Sequence, residues 1–282
     1  MEPLVSLDRM TIVGDLDGFF GEAGTAYGAG LKEAVDVCQS YSESTMMGKY
    51  PYGSAFQLSG GGHVSFARAT AAVPLVRVDV NPNKLSPDAP VRRVLGLMFD
   101  TRCTRLDVAV DYLGSRVGEW VPVGRSGKRF TVAARGGAIE TQMLGARSSA
   151  RQLVVYDKVA DCKAKKEPVP WDWTGDIMRV EARQRLKPSE GGSVLAPDMM
   201  DDVSLLGRGA EYAGLPVRDR AMLEYLSRHP DEWSALSRAE RRKLDGLKDF
   251  GGVCLDPSAA EVYRAGLPDL RDRYFDVISG VL

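Results

Sequence analysis

Three segments of this chain repeat one pattern of arginine, apolar residue, acid and apolar residue: Arg77-Val78-Asp79-Val80, Arg105-Leu106-Asp107-Val108 and Arg179-Val180-Glu181-Ala182. A period of two belongs to a β-strand, whose successive side chains point to opposite faces. Arg77 and Asp79 therefore share a face, as do Arg105, Asp107 and Asp111, and as do Arg179, Glu181, Arg183 and Arg185. The opposite faces are apolar and are predicted to pack on helices. A fold built from these strands needs a core on one side of a sheet and a charged surface on the other.

The remaining segments fill in that frame. Residues 4–13 read as a first strand, and residues 28–40 place Leu31, Ala34, Val35 and Val37 or Cys38 at helical spacing. Gly60–Gly62 separates two alternating runs, which predicts a hairpin. Residues 74–80 form a strand closed by the turn sequence Asn81-Pro82-Asn83-Lys84, and 91–100 read as a short helix. A strong strand covers 104–112. Residues 119–124 and 128–134, with Ser126-Gly127 between them, are predicted to pair as a hairpin. Strands follow at 138–145, 151–158 and 177–186, with 163–170 a lysine- and proline-containing loop. From about residue 195 the pattern becomes helical, and Ser237–Glu240 and Ser258–Glu261 both fit the capping box that starts a helix. The expected class is α+β: a mostly antiparallel central sheet with helices packed on one face, plus a helical C-terminal region. The expected division is 1–190 and 191–282.

The chain has 282 residues, enough for a substantial core, with 44% hydrophobic and 27% charged residues, which argues against wholesale disorder. There is no apolar run long enough for a membrane span, and the N-terminus lacks the basic start of a signal peptide. Cys38, Cys103, Cys162 and Cys254 are scattered without a CxxC pair, so a reduced, cytoplasmic protein is expected. The only two histidines, His63 and His229, lie far apart, which excludes paired-histidine metal motifs. Charge is uneven. Residues 125–187 hold 14 Lys/Arg against 7 Asp/Glu, whereas 1–124 hold 11 against 14 and 188–282 hold 12 against 17. A basic block between acidic ones fits a local anionic partner such as phosphate or nucleic acid; a solvated surface with uneven charge fits it too.

Carboxylates ringed by arginines can do chemistry on a phosphodiester. Hard oxygen ligands suit Mg²⁺ or Mn²⁺, and guanidinium groups suit phosphate. The same pattern equally describes Arg–acid pairs on a solvated sheet. Tyr156 ends the run Arg151-Gln-Leu-Val-Val-Tyr156-Asp157-Lys158, with Lys158 two residues on. A cation beside a phenol favours the phenolate, although a strand-ending tyrosine is commonly a packed, hydrogen-bonded residue. Gly145, Arg147, Ser148 and Ser149 offer donors for a phosphate backbone. Lys163, Lys165 and Lys166 are either a backbone clamp or an exposed loop.

The motifs NPNK at 81–84, TRLDVAVDY at 104–112, LGARSS at 144–149, VVYDK at 154–158 and RVEARQR at 179–185, in this order, resemble the trans-acting replication initiation factors of rolling-circle plasmids and filamentous phages. LDRMTIVG near the start and Tyr50-Pro51-Tyr52 are similar as well, and the resemblance covers roughly residues 5–190. It implies an enzyme that nicks one strand at a double-stranded origin bearing a single-stranded nick site. Carried over, Tyr156 is the nucleophile and Lys158 assists it. Asp107 and Glu181 are the metal-binding acids for Mg²⁺ or Mn²⁺, with Asp79 and Asp111 second, and His63 is either one further ligand or a structural residue. Arg105, Arg147, Ser148, Arg151, Lys163, Lys165, Lys166, Arg179 and Arg183 are the expected DNA contacts. Implied partners are origin DNA, a second copy of the chain, and a host helicase and polymerase, with no membrane. Two other functions compete: an origin-binding or copy-control protein without chemistry, and a nuclease that uses metal and water but no tyrosine.

Overall fold

The alternation of the three Arg-apolar-acid segments is realised as strands in the computed structural model, which describes residues 2–20, 25–47, 51–68, 72–123, 128–134, 136–146, 148–186, 195–201, 203–207, 216–246 and 255–278. In chain order the elements are β1 (Leu4–Asp15), β2 (Phe19–Phe20), β3 (Ala26–Tyr27), α1 (Ala29–Ser40), β4 (Ser42–Met47), β5 (Tyr52–Leu58), β6 (His63–Ala67), β7 (Val76–Val80), α2 (Pro90–Leu97), β8 (Phe99–Leu113), β9 (Trp120–Val123), β10 (Arg129–Ala133), β11 (Ile139–Leu144), β12 (Arg151–Asp157), α3 (Lys158–Lys165), β13 (Ile177–Arg185), β14 (Ser204–Gly207), α4 (Val217–Arg228), α5 (Arg238–Gly246) and α6 (Ala259–Ile278). The class is α+β with antiparallel strand pairing, as expected. Among the described residues no helix is long and apolar enough to cross a membrane.

The chain divides into two compact units, and the border between them falls inside β8, after Asp107. One unit comprises Ser6–Asp107, Arg185–Leu195 and Pro268–Leu282. Its strands run in the order β8, β1, β7, β6, β5, β4. Val76, Val78 and Val80 of β7 are buried, as are Met10 and Ile12 of β1, while Arg77 and Asp79 alternate with the valines. Helix α1 lies against α2 and buries Leu31, Ala34, Val37 and Cys38. Helix α2 begins with Pro90 at its first turn, where no N–H is needed. Its buried Arg92 donates from Nη2 to Asp276 at 2.8 Å. The β5–β6 turn uses glycine for a spatial reason: Gly62 has φ +106°, and a Cβ there would meet the Val91 side chain at 2.9 Å.

The other unit comprises Met1–Val5, Val108–Gln184 and Ala196–Leu267. Its strands run β10, β11, β12, β13, β8. Leu153 and Val155 of β12 and Val180 and Ala182 of β13 share one face and are buried. On that face Gln142 of β11 donates to the carbonyls of Val117 and Trp120, which fastens the short 3-10 turn before β9, Val117–Glu119, to the sheet. Tyr263 of α6 is fully buried, and its hydroxyl donates to the Ala196 carbonyl at 2.8 Å. Both capping boxes form. Ser237 Oγ accepts from the Glu240 N–H and Glu240 accepts from the Ser237 N–H, and Ser258 and Glu261 repeat the arrangement.

Four expectations are corrected. The hairpin of 119–124 with 128–134 does not form: β9 pairs with β14, Val121 opposite Leu206, while β10 pairs with β11. The intended turn at Ser126-Gly127 lies outside the described residues. The C-terminal third is therefore not purely helical, since β14 supplies a strand to the middle of the chain. The helix expected over 91–100 ends at Leu97, because Met98 is extended and leads into a 15-residue strand. The stretch 163–165, expected as loop, is the last turn of α3: the Asp157 side chain accepts from the Ala160 N–H at 2.9 Å and starts a helix that Lys166, with φ 57°, ends.

Asp79 ties β1 to β7. It lies opposite Thr11 and accepts from Arg9 Nη2 at 2.8 Å, from Arg77 Nε at 2.8 Å and from Thr11 Oγ1 at 2.5 Å. Burial raises its pKa, but the hydrogen bonds of Arg77, Thr11 and Arg9 outweigh this and bring it to about 2. A carboxyl depressed in the folded state stabilises it above its unfolded pKa, and that contribution is lost as pH falls through the folded value. Acid unfolding of the protein should therefore include a loss of about 2 kcal/mol between about pH 4 and pH 2. In Asp79→Asn the same amount should already be missing at pH 7, and the decline over that interval should be shallower; chemical denaturation at several pH values reads both. Gly62→Ala should cost about 1–3 kcal/mol in the same assay, through positive φ and the clash with Val91.

Candidate functional site

Residues paired directly across antiparallel strands project to the same face. In β12 and β13 the pairs are Tyr156 with Arg179, Val154 with Glu181 and Gln152 with Arg183. Tyr156 thus sits beside Arg179, with Glu181 diagonal to it. On its other side Tyr156 faces Thr141 of β11. The alternation gathers the charged residues on this face as expected, but the face is not a solvated surface: Tyr156, Val154, Gln152, Arg179 and Glu181 are all buried.

Its centre is a buried ion pair. Arg179 donates from Nε to Asp111 Oδ1 at 2.6 Å and from Nη2 to Oδ2 at 2.7 Å. Asp111 accepts a third bond, 2.8 Å, from the Trp171 indole N–H. The Asp111 side chain has no solvent exposure and that of Arg179 only 4%. Glu181 accepts from Arg183 Nε at 2.7 Å and Nη2 at 3.2 Å, with the guanidinium partly exposed. The pairing follows from spacing: residues two apart on a strand share a face, so arginine and acid meet within one strand.

At the end of β12 the chain turns into α3, and Lys158 is the first helical residue rather than a strand neighbour of Tyr156. Its ammonium lies 5.9 Å from the Tyr156 ring centroid. It also bonds Asp161 at 3.1 Å, as does Lys165 at 2.8 Å. Burial raises the Asp161 pKa, and the bonds from Lys165 and Lys158 more than reverse that and lower it. Asp161 and Trp171 escaped the sequence reading. Asp161 follows Asp157 by four residues, a helical spacing hidden by the strand assignment, and nothing in a proline-tryptophan loop indicates where an indole N–H will point.

The remaining candidates are spread out. Lys163, Lys165, Lys166 and Ser148 are exposed, and Arg147 lies outside the described residues. Arg151 is on the opposite face from Tyr156, where it donates to the Met199 carbonyl. In the other unit, Asp107 is buried and accepts from Arg105 Nε at 2.8 Å and Nη2 at 2.6 Å. His63 lies opposite both Asp79 and Gln57, its ring 3.5 Å from Ser65 Oγ; burial lowers its pKa and Asp79 opposes this.

The four acids proposed as metal ligands do not fit a metal centre in this arrangement. Asp79, Asp107, Asp111 and Glu181 each hold a guanidinium, and Asp111 has both oxygens engaged by three N–H groups. Among the described residues no three His, Cys, Asp or Glu side chains are grouped to share an ion. A cation at any of these carboxylates has to share it with an arginine. Cys38, Cys103 and Cys162 are free and buried, and burial pushes the Cys38 and Cys103 thiols up to about 12.

No protein-family model matches the chain. Curated proteins of Staphylococcus aureus named "Replication initiation protein" do. One is 26% identical over 185 residues, covering 64% of this chain and 56% of that protein. Another is 27% identical over 181 residues, covering 61% and 54%. The matched part is thus about half the length of these relatives. A solved structure titled as a rolling-circle replication initiator protein from Geobacillus stearothermophilus aligns with a TM-score of 0.44 and 16% identity, over 88% of this chain and 97% of that one. The chain is similar in sequence to curated replication initiation proteins, the same class that its ordered motifs resemble.

Proposed function

We propose that this protein initiates rolling-circle replication by nicking one DNA strand through Tyr156. The observation that carries the reading is the placement of Tyr156 at the end of β12, opposite Arg179, diagonal to Glu181 and under the Lys158 ammonium. The similarity to replication initiation proteins supports it. In the proposed step the Tyr156 phenol gives up its proton and its oxygen attacks the scissile phosphorus. The P–O bond to the 3′ side breaks, the departing 3′-oxygen takes up a proton, and a 5′-phosphotyrosine remains. The free 3′-hydroxyl can prime a polymerase, and the retained phosphoester allows rejoining. Lys158 lowers the cost of charge on the phenol oxygen. Arg183, partly exposed beside Glu181, and the exposed Lys163, Lys165, Lys166 and Ser148 hold the DNA backbone. Origin DNA, a second copy of the chain, and a host helicase and polymerase are the partners this role requires. Mg²⁺ or Mn²⁺ dependence belongs to the proposal, although the arginine-held acids offer no ready site, so no step is routed through a cation.

One observation favours a second reading, an origin-binding protein without chemistry: every candidate acid is already held by an arginine. A covalent-capture experiment separates the two. The protein is incubated with a randomised single-stranded DNA pool, with Mg²⁺, Mn²⁺ or EDTA, then denatured in detergent, and protein-linked DNA is recovered and sequenced. The expected result is a linked product of one sequence class, reduced at least about a hundredfold in Tyr156→Phe. Lys158→Met should keep the adduct but slow its formation about ten- to a hundredfold. Cleavage without an adduct identifies hydrolysis by water. Binding without cleavage in any of the three conditions identifies the non-enzymatic protein. Binding should weaken steeply with salt, as contacts to phosphate require.

A further inference from the structure

Trp171 stands out against the chemistry of its surroundings. Its indole N–H is satisfied by Asp111 at 2.8 Å, yet the residue is 45% exposed. Its backbone is in the left-handed region, φ 67° and ψ 16°, within the short turn Pro170–Asp172. A bulky residue gains nothing locally from that conformation, which costs of the order of 1–3 kcal/mol and persists only where the surroundings fix it. The fixing group is identifiable. The carboxylate that orients Trp171 also receives both N–H groups of Arg179, and Arg179 lies directly opposite Tyr156. One buried acid therefore sets the positions of an exposed aromatic ring and of the arginine beside the proposed nucleophile. The ring is also part of the basic block, residues 125–187 with 14 Lys/Arg against 7 Asp/Glu.

We propose that Trp171 is a stacking platform for a nucleobase of the single strand presented to Tyr156. This rests on the DNA-nicking reading above. An indole whose hydrogen bond is made inward offers its apolar face outward, and every base has a π-face to lay on it. Stacking on a rigid ring would hold the strand unpaired while the neighbouring cations hold its phosphates. It would also favour single-stranded over duplex DNA, because paired and stacked bases have no face to give. Trp171 is on this account a binding residue, with Asp111 as its positioning residue.

The test compares affinities for a labelled randomised single-stranded pool and for a random duplex of equal length, by fluorescence anisotropy, in the full chain carrying Tyr156→Phe so that no strand transfer intervenes. Trp171→Leu should weaken single-strand binding about tenfold and leave duplex binding unchanged. Trp171→Phe, which keeps a ring but loses the N–H bond to Asp111, should retain most of the single-strand affinity. The proposal is overturned if Phe and Leu lose affinity alike, since the hydrogen bond rather than the ring is then what counts. An equal loss on duplex DNA, or no loss with Leu, overturns it too. These outcomes leave the nicking reading standing, because covalent capture by Tyr156 is scored independently. Absence of single-strand binding in the parent overturns the stacking role, and an adduct in the capture experiment would still uphold the nicking role.

Discussion

A carboxylate with no exposure to water is expensive unless its charge is matched by well-directed donors, and Asp111 is matched by three. Much of the surface around Tyr156 depends on this arrangement. The bidentate bond to Arg179 joins β8 to β13 through their side chains on the charged face. The bond to Trp171 brings the loop after α3 back to the sheet. Removing either member of the Asp111–Arg179 pair would leave an ion in a dry site, which is far costlier than never having placed it there. The pair thus fixes geometry more than it adds stability, and the geometry it fixes is that of the groups next to Tyr156.

The same economy recurs elsewhere on the strands. Arg105 with Asp107 and Arg183 with Glu181 are pairs within one strand, two residues apart. Arg77 with Asp79 is a third, reinforced from the neighbouring strand by Arg9 and Thr11. In each case alternation alone puts the guanidinium within reach of the acid. This is why the pattern was visible in the sequence as a face, and why the sequence could not decide between a metal site and a set of ion pairs. Both need acids on one side of a strand. What separates them is whether the arginines turn toward the acids or away, and that depends on side-chain torsions rather than on spacing.

Legibility followed the range of the interactions. β1, β7, the core of β8, β12 and β13 were readable because period-two alternation is local. The glycine turn at 60–62 and the boxes at Ser237 and Ser258 were readable for the same reason, since each is settled within four residues. β14 was not readable: it is four residues long, and its partner β9 lies some eighty residues earlier in the chain, so only tertiary packing makes it a strand. Nor was the start of α3. Asp157 serves both as the last strand residue and as the helix cap, and the strand pattern masked the cap. Alternation put Tyr156 on a strand but could not name its sheet neighbours, which depend on strand order, and Trp171 entered through a loop whose path no periodicity encodes.

Exposure then divides arginines that the sequence treated alike. The Arg179 side chain is 4% exposed, against 27% for Arg105 and 34% for Arg183. A guanidinium has five N–H donors in a fixed fork, so giving two to a carboxylate does not exhaust it. A partly exposed Arg–acid pair can therefore keep its acid and still meet a phosphate, whereas a buried pair cannot be approached without unfolding its surroundings. Arg105 and Arg183 are thus the partly exposed arginines of the pattern. Arg179 is instead closed off from solvent, its charge balanced by Asp111, and lies opposite Tyr156 in the sheet. In the unit that holds Tyr156 the pairs thus separate into a dry layer, Arg179 with Asp111, and a partly exposed layer, Arg183 with Glu181. The arginine-x-acid pattern encodes both layers without distinguishing them.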